Sequence, residues 1–330
     1  MILLYFFLIL LLAVVLFLAR KVFQLKKGKR RAEAEIAGTQ VPKIPFPGAV
    51  RQLTILPLVD FYAADPSLKT EPGVSYLIKA DDTTILMDCG FNKEKAHPSP
   101  LLHNMEKLGI SMSDLDMIFF SHLHLDHLGG ITEQKTQTFS LSRGPVSLPD
   151  IPIYAPVPVT GSRWNPSANA RVISDPTELK PGIFSIGTIP RYLFLMGRTL
   201  ENALAVHVKG KGIVLIVGCG HQTIERVIDR AKALFDEPIH GIIGGLHYPV
   251  NGGRILLEPI NIQRIVGSDT PPWQGIRETD VENAIAAIQQ VSPRMVALSP
   301  HDTSDWAIDR FRQAFGSAYV DVKVGQQIVI

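Results

Sequence analysis

Residues Ser121 to Gly130 read SHLHLDHLGG, directly after the apolar run Met117–Phe120, so that His122, His124, Asp126 and His127 spell H-x-H-x-D-H. Neutral imidazoles and carboxylates are the usual ligands of zinc, iron or manganese. With 10 histidines and 18 aspartates in 330 residues, this string would arise by chance in roughly 5 of 10,000 such chains. A polar histidine-rich turn is therefore a poor alternative. On a strand leaving a sheet, residues two apart point the same way, so His122 and His124 reach one ion. Asp126 and His127, on the turn beyond, reach a second.

A metal site needs ligands from elsewhere in the chain. His221 follows the apolar run IVLIVG in GCGH, and His301 follows MVALSP in LSPHDTSD. Both stand where a buried strand gives way to a helix, as the opening motif does, and both are candidate ligands. His247 in GGLHY has the same placement and is expected to contact substrate or donate a proton. Asp88, at the end of ILMD, is expected to hold a ligand histidine through its second ring nitrogen, an exposed turn aspartate being the alternative. Cys219 could supply a thiolate, but free cysteines are more often small buried hydrophobes, so packing is its expected role. His97, His103, His207 and His240 lack a comparable setting and are expected to be structural or solvent-facing.

The elements that carry these residues are read from apolar pattern and turn residues. RQLTILPLV, VSYLIKA and TTILMD are consecutive strands. LLHNMEKLGI is a helix ending at Gly109, and LDMIFFS is a buried strand delivering the opening motif at its C-terminal end. Residues 139–190, rich in Pro, Ser and Gly, read as an irregular crossover with a short IPIYAP strand. RYLFLMG, ALAVHVKG and GIVLIVGCG are strands, and QTIERVIDRAKALF is an amphipathic helix. IHGIIGGLH is a further strand. Thr279 and Glu282 form a capping-box pattern opening a helix, RMVALSPH is a strand, a helix with Ala307, Phe311 and Phe315 inward follows, and AYVDVKVGQQIVI closes with one or two strands. Strands fall in two groups, each followed by helices, with no repeat of 20 to 50 residues.

Residues 1–19 carry no charge and, as a helix, would extend roughly 28 Å, close to the hydrocarbon thickness of a bilayer. A cleaved signal peptide would want its basic residues first, whereas here they follow, so an uncleaved membrane-spanning anchor is expected. Residues 20–50 read as a basic juxtamembrane linker and 51–330 as the folded domain. The cationic flank, Arg20, Lys21, Lys26, Lys27, Lys29, Arg30 and Arg31, predicts a single-pass protein with that domain in the cytoplasm. The first 35 residues hold seven basic against two acidic side chains, +5, which leaves −3 of the total +2 for the remainder. A mildly acidic body argues against a nucleic-acid partner, which needs a basic face. The cationic run suits anionic lipid headgroups or serves only to fix topology. Two cysteines, Cys89 and Cys219, form no disulfide framework.

SHLHLDHLGG, with TTILMDCG upstream and the later GCGH and LSPH, resembles the metallo-β-lactamase-fold superfamily over about residues 50–325. The resemblance implies an α/β architecture, a four-layer αβ/βα sandwich with a metal site at one edge of its two sheets. EPGVSYLI, GCGHQTI, IIGGLHY and LSPHDTS are most like the branch containing archaeal dihydropterin–aminobenzene-phosphate synthase. Many members carry another histidine before the GCGH strand and a bridging aspartate after it; here RTLEN and His221 occupy those places. The run 248–275 is longer than that branch implies and is either a lid carrying Trp273 or a surface insertion.

These residues lead us to expect a membrane-anchored hydrolase with one or two ions, zinc first, manganese or iron as alternatives. His122, His124, Asp126, His127, His221 and His301 would be ligands, Asp126 would also orient the attacking water, and His247 would protonate the leaving group. The expected substrate is a small or lipid-derived ester or phosphoester, with no organic cofactor. A phosphate-displacing transferase of the dihydropterin type and a non-enzymatic membrane scaffold holding a structural metal are the alternatives. Pattern alone leaves substrate and oligomeric state open.

Overall fold

A computed structural model describes residues 1–330 apart from Phe46, Glu258 and Pro259. Two sheets face one another. The first runs, in spatial order, Ile328–Val329, Leu53–Val59, Ser75–Ala80, Thr83–Met87, Met117–Phe119, Ile153–Ala155 and Arg171–Val172. The second runs Met295–Leu298, Ile239–Gly244, Gly212–Val217, Ala203–Val208, Ile183–Ser185 and Thr177–Lys180. Ile55, Ile78, Ile85 and Phe119 of the first meet Leu204, Val206, Val214 and Ile216 of the second in one apolar layer.

Alternation along each strand builds the outer layers. In Gly212–Val217, Val214 and Ile216 face the other sheet, while Ile213, Leu215 and Val217 face the helices Ile224–Leu234, Glu278–Gln290 and Asp305–Phe315. All five of these side chains have no exposed surface, each contributing about 1.5–3 kcal/mol relative to exposure. On the far side, Leu101 and Met105 of the helix Pro100–Lys107 pack over Leu77, Leu86 and Ile118 of the first sheet. The result is a four-layer αβ/βα sandwich, as expected.

Chain direction explains why the reactive residues converge. Gly212–Val217, Ile239–Gly244 and Met295–Leu298 are mutually parallel, so GCGH, GGLH and LSPH leave the second sheet at the same edge. Thr83–Met87 and Met117–Phe119 are likewise parallel, and Asp88 and Ser121 emerge together from the first.

Three local expectations change. The middle stretch holds more order than its Pro and Gly content implies. Arg171–Val172 ends the first sheet, and Thr177–Lys180 with Ile183–Ser185 begin the second, so these residues carry the chain between layers. The helix at Glu278 is capped by Asp280, which accepts from the Arg277 backbone N–H at 2.8 Å, while Glu282 instead pairs with Arg310. The closing segment holds one strand, Ile328–Val329, within the one or two expected.

The third change concerns the N-terminus. One unbroken helix spans Ile2–Gly38, so the segment expected as a linker is helical for more than half its length; Phe46, within the rest of it, lies outside the described residues. The helix's apolar first half stands clear of the body, whereas Leu25, Gly28 and Ala32 are buried against it. Gly28 is essential to that contact, because a Cβ there would lie 2.1 Å from the Tyr192 ring. Arg198 with Glu35 at 2.8 Å, and Arg226 with Glu33 at 2.5 Å, flank the seam.

Candidate metal centre

The edge where the parallel strands end gathers His122, His124, Asp126, His127, Cys219, His221, His247, His301 and Asp302. Ligand atoms of Asp126, His127, Cys219 and His301 lie within 4.8 Å of one another, as do those of His122, Cys219 and His221, and those of Cys219, His247 and Asp302. His124 joins the second group through Nδ1, 3.0 Å from His221 Nε2. All six residues expected as ligands are therefore brought together, in two sets sorted much as the strand geometry implies.

The donor chemistry fits a divalent cation. His122 Nε2, His127 Nε2 and His301 Nε2 are fully buried and have no hydrogen-bond partner among the described residues, an arrangement that costs about 1–3 kcal/mol per group unless a ligand completes it. Their opposite nitrogens are all held. Ser121 Oγ donates its hydrogen to Asp88 Oδ2 at 2.7 Å and therefore accepts from His122 Nδ1 at 3.0 Å. His127 Nδ1 donates to the same carboxylate at 2.7 Å. Ser299 Oγ donates to Asp60 Oδ2 and accepts from His301 Nδ1, both at 2.6 Å. Each ring thus carries its hydrogen away from the cluster and turns a lone pair into it, as in metal sites whose ligand histidines are oriented by carboxylates.

Electrostatics agrees for most of the set. Burial and the neighbouring imidazoles hold His122 and His221 well below the usual histidine range, and burial brings His124 to about 4. These rings are neutral near pH 7, the state that binds a metal. His127 is the exception: burial pulls it down, but Asp88 and Asp126 push it up to about 9.

Several residues that shape the centre escaped the sequence reading. Glu201, inside RTLEN, is buried and accepts from the backbone N–H groups of Cys219, Gly220 and His221 at 3.0, 2.6 and 2.8 Å, pinning the GCGH turn. Burial lifts its carboxyl to about 7 despite those donors. Gly218 lets the turn approach the first sheet, since a Cβ there would meet Ser121 Oγ at 2.1 Å. Asp302 accepts from the Cys219 thiol at 3.1 Å and the His247 N–H at 3.0 Å. Burial would raise this carboxyl, but His301 and His247 hold it at about 2. The only sequence signal was adjacency to quoted motifs.

Two expectations need restating. Cys219 is buried, but it belongs to all three ligand groups rather than to an apolar layer; it stands between the two histidine sets, where a bridging ligand would be. His247 lines the adjoining pocket of about 100 Å³ with Arg191, His221 and Asp269. Its Nε2 lies 3.1 Å from the Gln263 carbonyl and its Nδ1 3.4 Å from Cys219 Sγ, so both nitrogens are engaged within the fold. Asp88 holds His127 directly and His122 through Ser121. His97, His103, His207 and His240 lie outside the cluster; His207 Nδ1, for example, meets the Gly48 carbonyl at 2.9 Å.

Solved structures share this architecture. A metal-dependent hydrolase of the β-lactamase superfamily, Tm1679, superposes with a TM-score of 0.55 at 21% identity, over 84% of this chain and 99% of its own. The metallo-β-lactamase fold protein YhfI from Bacillus subtilis gives 0.51 at 12% identity, over 85% and 100%. This chain has the metallo-β-lactamase fold. In sequence it is similar to 7,8-dihydropterin-6-methyl-4-(β-D-ribofuranosyl)-aminobenzene-5′-phosphate synthase of Methanocaldococcus jannaschii, 28% identical over 61% of this chain and 79% of that protein. The family described as Anti-Pycsar protein Apyc1 matches residues 69–169, which hold the opening motif. Apyc1 of Paenibacillus harenae is 32% identical over 71 residues, 21% of this chain and 26% of that protein.

Proposed function

We propose that this metallo-β-lactamase-fold chain is a membrane-anchored metallohydrolase acting on an ester or phosphoester, with zinc as the first candidate ion. The observation that carries the reading is that four buried imidazole nitrogens lack partners among the described residues, those of His122, His127, His221 and His301, three of them aimed into one cluster by a hydrogen bond on the far side of the His122, His127 and His301 rings. His122, His124 and His221 would hold one ion; Asp126, His127 and His301 a second; Cys219 stands within reach of both. A bound divalent cation supplies Lewis-acid activation of water and of the scissile group's oxygen.

The chain's own residues do the rest. Asp126, whose side chain is 15% exposed, orients the attacking water. His247 forms a wall of the pocket, and proton donation from its Nε2 requires release of the Gln263 carbonyl. Arg191, whose Nη1 donates to the His221 carbonyl at 2.5 Å, places a positive charge on the pocket wall where an anionic substrate group would lie. The uncharged helix 1–19 serves as the anchor, and the basic residues after it place the domain on the cytoplasmic side; protease accessibility in sealed vesicles checks that side.

Elemental analysis of the purified full chain, with a panel of esters, lactones and phosphodiesters, tests the reading. One or two ions per chain are expected, lost in His122→Ala/His124→Ala, with hydrolysis falling at least about a thousandfold because the ion supplies the activation. Unchanged metal content in that variant sinks the proposal. A second reading, displacement of a phosphate-linked group by an acceptor, is favoured by the similarity to the archaeal synthase. Product formation that depends on an added amine acceptor would select it over hydrolysis.

A further inference from the structure

One stretch of chain joins the pocket to the N-terminal helix. Gly267, Ser268, Asp269 and Thr270 line the pocket beside His221 and His247. Three residues further on, Trp273 is 68% exposed and closes an apolar groove against Leu18, Val22 and Phe23 of the helix. Asp269 receives Lys29 Nζ at 2.8 Å and Arg191 Nη2 at 3.0 Å. Contacts therefore run without a gap from the helix through Asp269 and Arg191 to His221 at the metal centre.

The occupant of the groove follows from its surroundings. The helix surface below it, residues 1–19, is exposed, apolar and uncharged, which suits hydrocarbon. The surface above it carries Lys26, Lys27, Arg30 and Arg31, which suits anionic headgroups at about 1 kcal/mol per cation near the surface. Trp273 lies between them, at the level where an amphipathic indole is most favoured. From Ala19 to Lys29 the helix rises about 15 Å, against a headgroup layer roughly 5–8 Å thick on each side, so the pocket rim stands about 7–10 Å above that layer.

We propose that the segment Gly267–Ile276 is a pocket wall seated on the bilayer: Trp273 sits in the headgroup layer of an anionic phospholipid membrane. The pocket takes an amphiphile whose polar head reaches the metal centre while its apolar part stays in lipid. The chemistry done on that head rests on the hydrolase reading; the seating does not.

The full chain is reconstituted in vesicles of phosphatidylcholine and phosphatidylglycerol, with bromines placed near the top of the phosphatidylcholine acyl chains. Of the three tryptophans in the chain, Trp273 should account for most quenching, so Trp273→Phe should lose at least about half of it. Quenching that is absent, or unchanged in Trp273→Phe, overturns the seating. In the same vesicles, Trp273→Ala should lower kcat/KM for a vesicle-borne substrate about tenfold relative to a soluble substrate with the same scissile group. An unchanged ratio overturns loading from the bilayer. Absence of turnover on both substrates in the native chain sinks the hydrolase reading, while quenching still decides the seating.

Discussion

Two serine relays orient imidazoles of the candidate metal centre, and they differ in charge. Asp88 and Ser121 both leave the first sheet, and Ser121 orients His122; Asp60 also leaves the first sheet, at the end of Leu53–Val59, but holds Ser299 of the second, which orients His301. The wiring is the same, with a serine between carboxyl and imidazole. Asp88, however, also meets a second ligand, His127, at 2.7 Å, an imidazole pushed up to about 9 despite burial. Asp60 meets no imidazole directly; its other partners are the Phe61 N–H at 2.7 Å and the Tyr76 hydroxyl at 3.5 Å. Burial, only partly countered by Ser299, raises its carboxyl to about 8. The first relay holds two imidazoles, His127 directly on Asp88 and His122 through Ser121, whereas the second holds one through a carboxyl that burial raises to about 8.

The largest test of that contrast is Asp88→Ala. It strands Ser121 and His127 together, and we expect a loss of about 3–5 kcal/mol in urea unfolding with metal affinity weakened about 100-fold in a chelator competition. Cys219 lies between the relays and comes next. Cys219→Ala should cost one of two bound ions by elemental analysis, and Cys219→Asp should restore it; two ions retained in Cys219→Ala would leave the thiol a packing role.

Asp60→Asn should do less, because an amide replaces a carboxyl that is already mostly neutral. An affinity loss within about tenfold is expected, and a loss equal to that of Asp88→Ala would erase the distinction. The same variant carries a pH signature. The Asp60 carboxyl is raised in the folded state from 3.8 to about 8, so its stabilising contribution is full below pH 3.8 and is lost as pH rises to about 8. Subtracting the stability profile of metal-free Asp60→Asn from that of the native chain should leave this decline; a flat difference would remove the protonated relay. The smallest effect belongs outside both relays. Lys29→Ala breaks the pair with Asp269, whose lysine side chain is 45% exposed, and should cost within about 1 kcal/mol. Hydrogen exchange of the helix amides over residues 20–38 reads that change.

The first relay was half-visible in the chain and the second was not. Asp88 is read as a holder because it ends a strand just before the motif-bearing one, and strand pairing keeps the two together. Asp60 lies 239 positions from Ser299, and no local pattern connects them. Glu201 was hidden for the same reason, as RTLEN reads as an ordinary strand end until the GCGH turn is folded onto it. Periodicity likewise marked residues 20–38 as a linker because their burial against Tyr192 comes from a distant pair of strands.

The sequence by itself determined the metal-seeking motif, the strand ends that present His221 and His301, the two groups of strands and the apolar helix, because each is a local matter of side-chain type, spacing and hydropathy. Tertiary structure alone decided which serines and carboxyls turn the imidazoles, that Cys219 stands between the ligand sets, and that the N-terminal helix reaches the pocket wall through Asp269. Those contacts depend on parallel strands ending at one edge of two packed sheets, and burial there gives each unpartnered polar atom its chemical consequence.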